Sequence, residues 1–167
     1  MLTELLNKVY ELGTPLLFGA ITTVTLTLSS LVLAIILGLV LALIRLLNIK
    51  VVNALISTFV EIFRNTPVLA QLFILYFGLP YMGIKISPFL AATIGLSLNG
   101  GALLSEVFRA GLGAIHFGQR ESALSVGMTP WMSLRYIILP QTWRITLPPI
   151  GNYAIALLKD TAVVSAI

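Results

Sequence analysis

Residues Leu12 to Ile44 read LGTPLLFGAITTVTLTLSSLVLAIILGLVLALI, 33 consecutive residues without an Asp, Glu, Lys or Arg. A helix rises 1.5 Å per residue, so about 20 apolar residues already cross a hydrocarbon core of about 30 Å. The apolar residues run on continuously instead of alternating, which argues for a helix and against a membrane β-strand. Outward from this stretch, Asn65 to Ile84 and Ile86 to Ser105 are further charge-free runs of 20 residues each, and Ile145 to Leu158 is one of 14. The expectation is an all-α, polytopic transmembrane bundle with about four spans. Their expected limits are Pro15 to Ile44, Val51 to Phe77, Pro88 to Phe108 and Ile145 to Val164.

Composition supports this. The chain has 167 residues, 58% hydrophobic and 10% charged, where a soluble domain carries about 25% charged residues. Ten Lys+Arg and six Asp+Glu cannot coat a water-soluble globule of this length. A soluble enzyme, a disordered chain and a nucleic-acid module are therefore excluded. Cysteine is absent and His116 is the only histidine, so neither a thiolate nor a histidine-rich metal site is expected, and no cofactor is. Met1-Leu2-Thr3-Glu4 lacks the basic start of a cleavable signal peptide. Residues 1–14 read as an amphipathic, extracytoplasmic segment, with Leu2, Leu5, Leu6, Val9 and Leu12 at helical spacing. It either lies in the interface or extends the first span. Arg45, Lys50, Arg109, Arg120, Arg135 and Arg144 fall on one side of the expected bundle, and Lys8 and Lys85 on the other. The richer side is expected to be cytoplasmic, which puts the N-terminus outside. The last residues, Ala162 to Ile167, are apolar with no polar tail, and a further span is expected to follow them.

Charges in or near the spans need partners or a wet cavity, because one at the bilayer centre costs about 2.5–3.5 kcal/mol on insertion scales. Glu61 and Arg64 are three residues apart, as are Glu106 and Arg109. Each pair falls on one helix face and either neutralises itself or lines a path. Lys159 and Asp160 adjoin, so Asp160 is either locally paired or available to a substrate. Pro67 removes a donor and frees carbonyls one turn back, near Phe63 and Arg64. Asn99-Gly100-Gly101 is expected to weaken the third span in a similar way. Two interrupted helices at mid-depth mark a substrate path; the alternative is a kink and a small-residue contact patch. The path candidates are Glu61, Arg64, Asn65, Asn99 and Asp160, and Pro67, Glu106 and Arg109 are candidates for structure or gating.

The segment 114–140 carries a different kind of signal. Gly118 to Val126 suits a short helix, and Gly127 follows where a left-handed residue is wanted. Thr129 suits an N-cap with Pro130 at the first helical position. A second short helix, Trp131 to Ile138, is expected to end before Pro140. The result is either a knob projecting from the membrane or an amphipathic interfacial loop.

Glu121-Ser122-Ala123, Gly127, Ile137, Leu139 and Pro140 match the spacing E-A-A-x3-G-x9-I-x-L-P, with serine for one alanine. In this the chain resembles the EAA-motif permeases of ABC importers. Phe63-Arg64-Asn65-Thr66-Pro67, Glu106-Val107-Phe108-Arg109-Ala110-Gly111, Ile138-Leu139-Pro140-Gln141 and Lys159-Asp160-Thr161 are similar to its polar-amino-acid subgroup, the histidine/glutamine/arginine-type permeases. His116 stands where that subgroup usually has proline, and the family continues past Asp160-Thr161 into a further helix.

The resemblance implies a permease domain over 15–167 in a bacterial inner membrane, with 114–140 as its coupling loop. Glu121, Ser122, Ala123 and Gly127 would couple it to an ATPase present in two copies. The implied partners are a second permease copy or paralogue, an extracytoplasmic amino-acid-binding protein, a polar amino-acid substrate and the lipid bilayer; nucleic acid is not among them. No G-x-x-x-x-G-K-[ST] loop is present, so ATP hydrolysis is expected in the partner. A structural half of a heterodimeric permease and an ion-driven secondary transporter are the rival readings.

Overall fold

The computed structural model describes residues 2–166, with side chains from residue 12 onward. Among the described residues every regular element is helical. Helix α1 spans Leu2–Arg45, α2 Lys50–Asn65 and α3 Val68–Phe73. A π-helical turn, Ile74–Gly78, and a 3-10 turn, Leu79–Met82, prolong α3. Then come α4 (Pro88–Gly113), α5 (Phe117–Ser125), α6 (Pro130–Ser133) and α7 (Leu139–Asp160). The backbone of residues 2–14 is continuous with α1. Leu12 apart, the side chains that make this segment amphipathic in sequence lie outside the described residues.

The bundle is built on α4. Its Leu96, Ala102, Leu104 and Phe108 are buried, and α1, α2 and α7 all pack on it. Helix α1 lies alongside α4 in the same direction. Leu26 packs with Ala92 and Leu96, Ala34 lies beside Gly100, and Gly38 faces Leu104 and Ser105. Small residues permit this approach: a Cβ on Gly38 would stand 2.9 Å from both the Leu104 Cβ and the Ser105 backbone nitrogen. Helices α2 and α7 run the opposite way. Val60 packs on Ala102, the Phe108 and Trp143 rings stack with centroids 6.5 Å apart, and Leu157 packs on Leu96.

The fold is the expected all-α membrane bundle, with three local departures. First, α4 is unbroken through Asn99-Gly100-Gly101. The glycines serve packing: a Cβ at Gly100 would meet the Tyr153 hydroxyl, and one at Gly101 the Leu37 side chain. Second, Pro140 does not end a helix. A π-helical turn, Leu134–Ile138, joins α6 to α7, with the Leu139 N–H bonded to the Leu134 carbonyl five residues back. The shifted register admits Pro140, which has no N–H to place. Third, α7 therefore starts at Leu139, and Pro148 and Pro149 sit inside it.

Among the described residues two helices, α1 from Leu12 and α4, are long and apolar enough to cross a membrane, and α2 with Val68–Met82 makes a third if that bent pair is one span. Helix α7 has 22 residues, about 33 Å at 1.5 Å per residue. Arg144, Lys159, Asp160 and its three prolines make it less apolar than α1 and α4.

Candidate polar cavity and coupling helix

Helix α2 ends at Asn65, α3 begins at Val68, and the axes of α2 and Val68–Met82 diverge by 105°. Pro67 is the residue before α3, in extended conformation. A break of this kind frees backbone carbonyls, and buried ones must find donors. Two buried carboxamides supply them. The Asn99 Nδ2 donates to the Phe63 carbonyl at 2.7 Å, and the Gln71 Nε2 donates to the Phe63 and Thr66 carbonyls at 2.9 Å each. The Thr66 hydroxyl donates to the Ile62 carbonyl at 2.7 Å. Asn99 thus ties the unbroken α4 to the broken α2–α3. Asn65 is exposed beside the break.

One turn away from the break, a cavity of about 710 Å³ lies among α1, α2 and α4. Glu61, Arg64, Glu106 and Arg109 line it, with Arg45, Asn53 and Ser57. Glu106 accepts from Arg45 at 2.5 Å and from Arg109 at 2.6 Å. Arg45 also donates to the Ser57 hydroxyl at 3.1 Å. Arg45 and Glu106 therefore tie three helices together. Glu61 and Arg64 share the cavity and the three-residue spacing, yet both are exposed and form no ion pair with each other. Asp160 lies at the other end of α7 from Trp143, half-buried, before the buried Thr161. Among the described residues it forms no ion pair with Lys159, which is exposed.

The segment around Gly127 is a capped helix and turn. Gly127 adopts φ +84°. The Met128 N–H bonds the Ala123 carbonyl at 3.1 Å and the Gly127 N–H bonds the Leu124 carbonyl at 3.0 Å, the paired closure of a left-handed helix end. Thr129 caps α6 by accepting from the Met132 N–H at 3.2 Å. Glu121 and Ser122 are exposed on α5 and Ala123 is buried, and α5 packs on α6 and the π-helical turn that lead into α7.

Two contributors escaped the sequence reading. Arg45 counts there only as a topological charge, and Gln71 is not singled out. Gln71 is the only amide side chain between Pro67 and Tyr76, and that isolation in an apolar run was the available signal. Arg45 offers no local signal, because Glu106 is 61 residues away.

The family described as "Binding-protein-dependent transport system inner membrane component" matches residues 34–167. The L-cystine transport system permease protein TcyB of Bacillus subtilis (strain 168) is 39% identical over 154 residues, covering 92% of this chain and 66% of TcyB. The glutamine transport system permease protein GlnP of Escherichia coli (strain K12) is 39% identical over 114 residues, covering 67% of this chain and 52% of GlnP. The chain thus spans about half to two thirds of the length of these relatives. Among solved structures, that of an amino acid ABC transporter with histidines superposes with a TM-score of 0.84 at 38% identity, covering 96% of this chain and 75% of that one. The MetNI methionine ABC transporter in inward-facing form superposes at 0.74 with 22% identity, covering 90% and 73%, a likeness of fold alone. With its helices packed on α4, its break at Pro67 and its capped turn at Gly127, the chain belongs to the family of binding-protein-dependent transport system inner membrane components.

Proposed function

We propose that this chain is the membrane-spanning permease subunit of an ABC importer that carries a polar amino acid across a bacterial inner membrane. The observation that carries the reading is α5 with its closed turn at Gly127. Glu121 and Ser122 face outward on a short, capped helix outside the spans, and Ala123 anchors it inward. The separate ATPase, two copies of it, docks here; a second permease copy or paralogue completes the path, and an extracytoplasmic binding protein delivers substrate. In this reading hydrolysis belongs to the ATPase and this chain contributes motion. The amino-acid transport systems named among its relatives support the substrate class.

The route for that motion follows from the contacts. Gln141 at the start of α7 donates to Gln119 on α5 at 3.4 Å, and Pro130 to Asp160 is one helical path. A push on α5 therefore reaches α7. The Phe108–Trp143 stack and the seat of Gly111 on Thr142 and Thr146 pass it to α4. Helix α4 carries Glu106, where α1 and α2 are joined through Arg45. In this scheme Glu106 and Arg109 act as the inner latch, and Glu61, Arg64, Asn65, Asn99 and Asp160 are the groups offered to the substrate's ammonium and carboxylate.

The test is ATP-driven amino-acid uptake in proteoliposomes containing the full transporter. Gly127→Pro cannot adopt φ +84° and abolishes uptake while membrane insertion persists. Gly127→Ala, strained by about 1–2 kcal/mol, lowers uptake without abolishing it. Uptake at the wild-type rate in Gly127→Pro would contradict the coupling role.

A further inference from the structure

A second cavity, about 700 Å³, lies between α5 and the ends of α1 and α4. Its walls are apolar: Leu46, Phe117, Trp131, Leu134 and Ile138 contribute to them. Its only charged or titratable side chains are Arg120 and His116, and no Asp or Glu lines it. Leu46, Leu112 and Gly113 also border the Arg45–Glu106 cavity, so the groove sits at the C-terminal ends of α1 and α4. Pockets of this size hold ligands of drug-like bulk.

The polar edge is prepared for an anion. The His116 Nδ1 accepts from the Gly118 N–H at 3.2 Å and caps α5. With Nδ1 committed as acceptor, Nε2 is the ring nitrogen left to donate. Arg120, near the start of α5, lines the same groove. An apolar wall with two donors and no acid complements an amphiphile with a negative head. A zwitterionic head would bring a cation to Arg120 with no carboxylate to meet it.

We infer that this groove binds one anionic glycerophospholipid of the cytoplasmic leaflet, its phosphate at Arg120 and His116 and an acyl chain along Trp131, Leu134 and Ile138. The site shares α5 with Glu121, and its assignment to the cytoplasmic leaflet rests on the importer reading above.

Trp131 reports on it directly. The chain has two tryptophans, and Trp143→Phe keeps a ring on Phe108 while leaving Trp131 as the sole fluorophore. The full chain is placed in vesicles of mixed phosphatidylglycerol and phosphatidylcholine, with bromine on the acyl chains of one lipid at a time. Brominated phosphatidylglycerol quenches Trp131 at about fivefold lower mole fraction than brominated phosphatidylcholine, the factor set by one basic residue at the surface. Arg120→Gln brings the two lipids to parity, and Arg120→Lys retains the preference. Equal quenching by both lipids in the wild type overturns the inference, as does a preference that survives Arg120→Gln. Complete release of the quenching by the ATPase subunit also overturns it, because the groove then belongs to the ATPase.

Discussion

Glu106 accepts from Arg45 of α1 and from Arg109 of its own helix, and its side chain is 23% exposed against 12% for Arg45. Hydrogen bonds to charged groups contribute about 1.5–3 kcal/mol when partly shielded. Glu61, four positions past Ser57 on α2, lines the same cavity but is exposed and holds no ion pair. Glu106→Gln therefore lowers the thermal unfolding midpoint of the detergent-solubilised protein. Glu61→Gln leaves it within the small range of surface substitutions, about 0.5 kcal/mol. Equal shifts in the two variants contradict the pinning role. The i,i+3 spacing made the Glu106–Arg109 pair readable from sequence. It made Glu61–Arg64 equally readable, and that pair does not form. Spacing puts two side chains on one face; burial and a third partner decide whether they close. The third partner here depends on the register of α1 against α4, which no local pattern encodes.

At the scale of elements, close helix approach is concentrated where glycines face backbone. The Cβ of any residue replacing Gly38 meets Leu104 and the Ser105 backbone at 2.9–3.0 Å, whereas nothing lies within 4 Å of one at Gly151 on α7. Gly38→Leu forces α1 from α4 and destabilises by about 1–3 kcal/mol, the range for overpacking. Gly151→Leu does not share this cost. Thermal unfolding of the two variants side by side checks the contrast, and equal losses remove the argument for a glycine-set α1–α4 seam. The legible punctuation is set at single positions. Pro67 breaks a helix because the chain turns through 105° there, and Gly127 turns because its φ is positive. What sequence could not foresee is compensation by neighbours. Pro140 is absorbed by a π-helical turn. Asn99-Gly100-Gly101 stays helical because Tyr153, Ala34 and Leu37 fill the space their missing side chains leave. Asn99 spends its amide on the neighbouring helix.

At the scale of the whole molecule, the long charge-free run and the low charge content sufficed for an all-α membrane bundle, and the EAA spacing sufficed for the family. The central claim is that α5 faces the cytoplasm and seats the ATPase. The absence of native cysteine makes this directly measurable, since Ser122→Cys places a single thiol on the exposed face of α5. A membrane-impermeant maleimide is applied to sealed vesicles of either orientation, with and without the ATPase subunit. The account predicts labelling only from the cytoplasmic side, and protection from it once the ATPase is bound. Labelling from the extracytoplasmic side, or labelling undiminished by saturating ATPase, would contradict it.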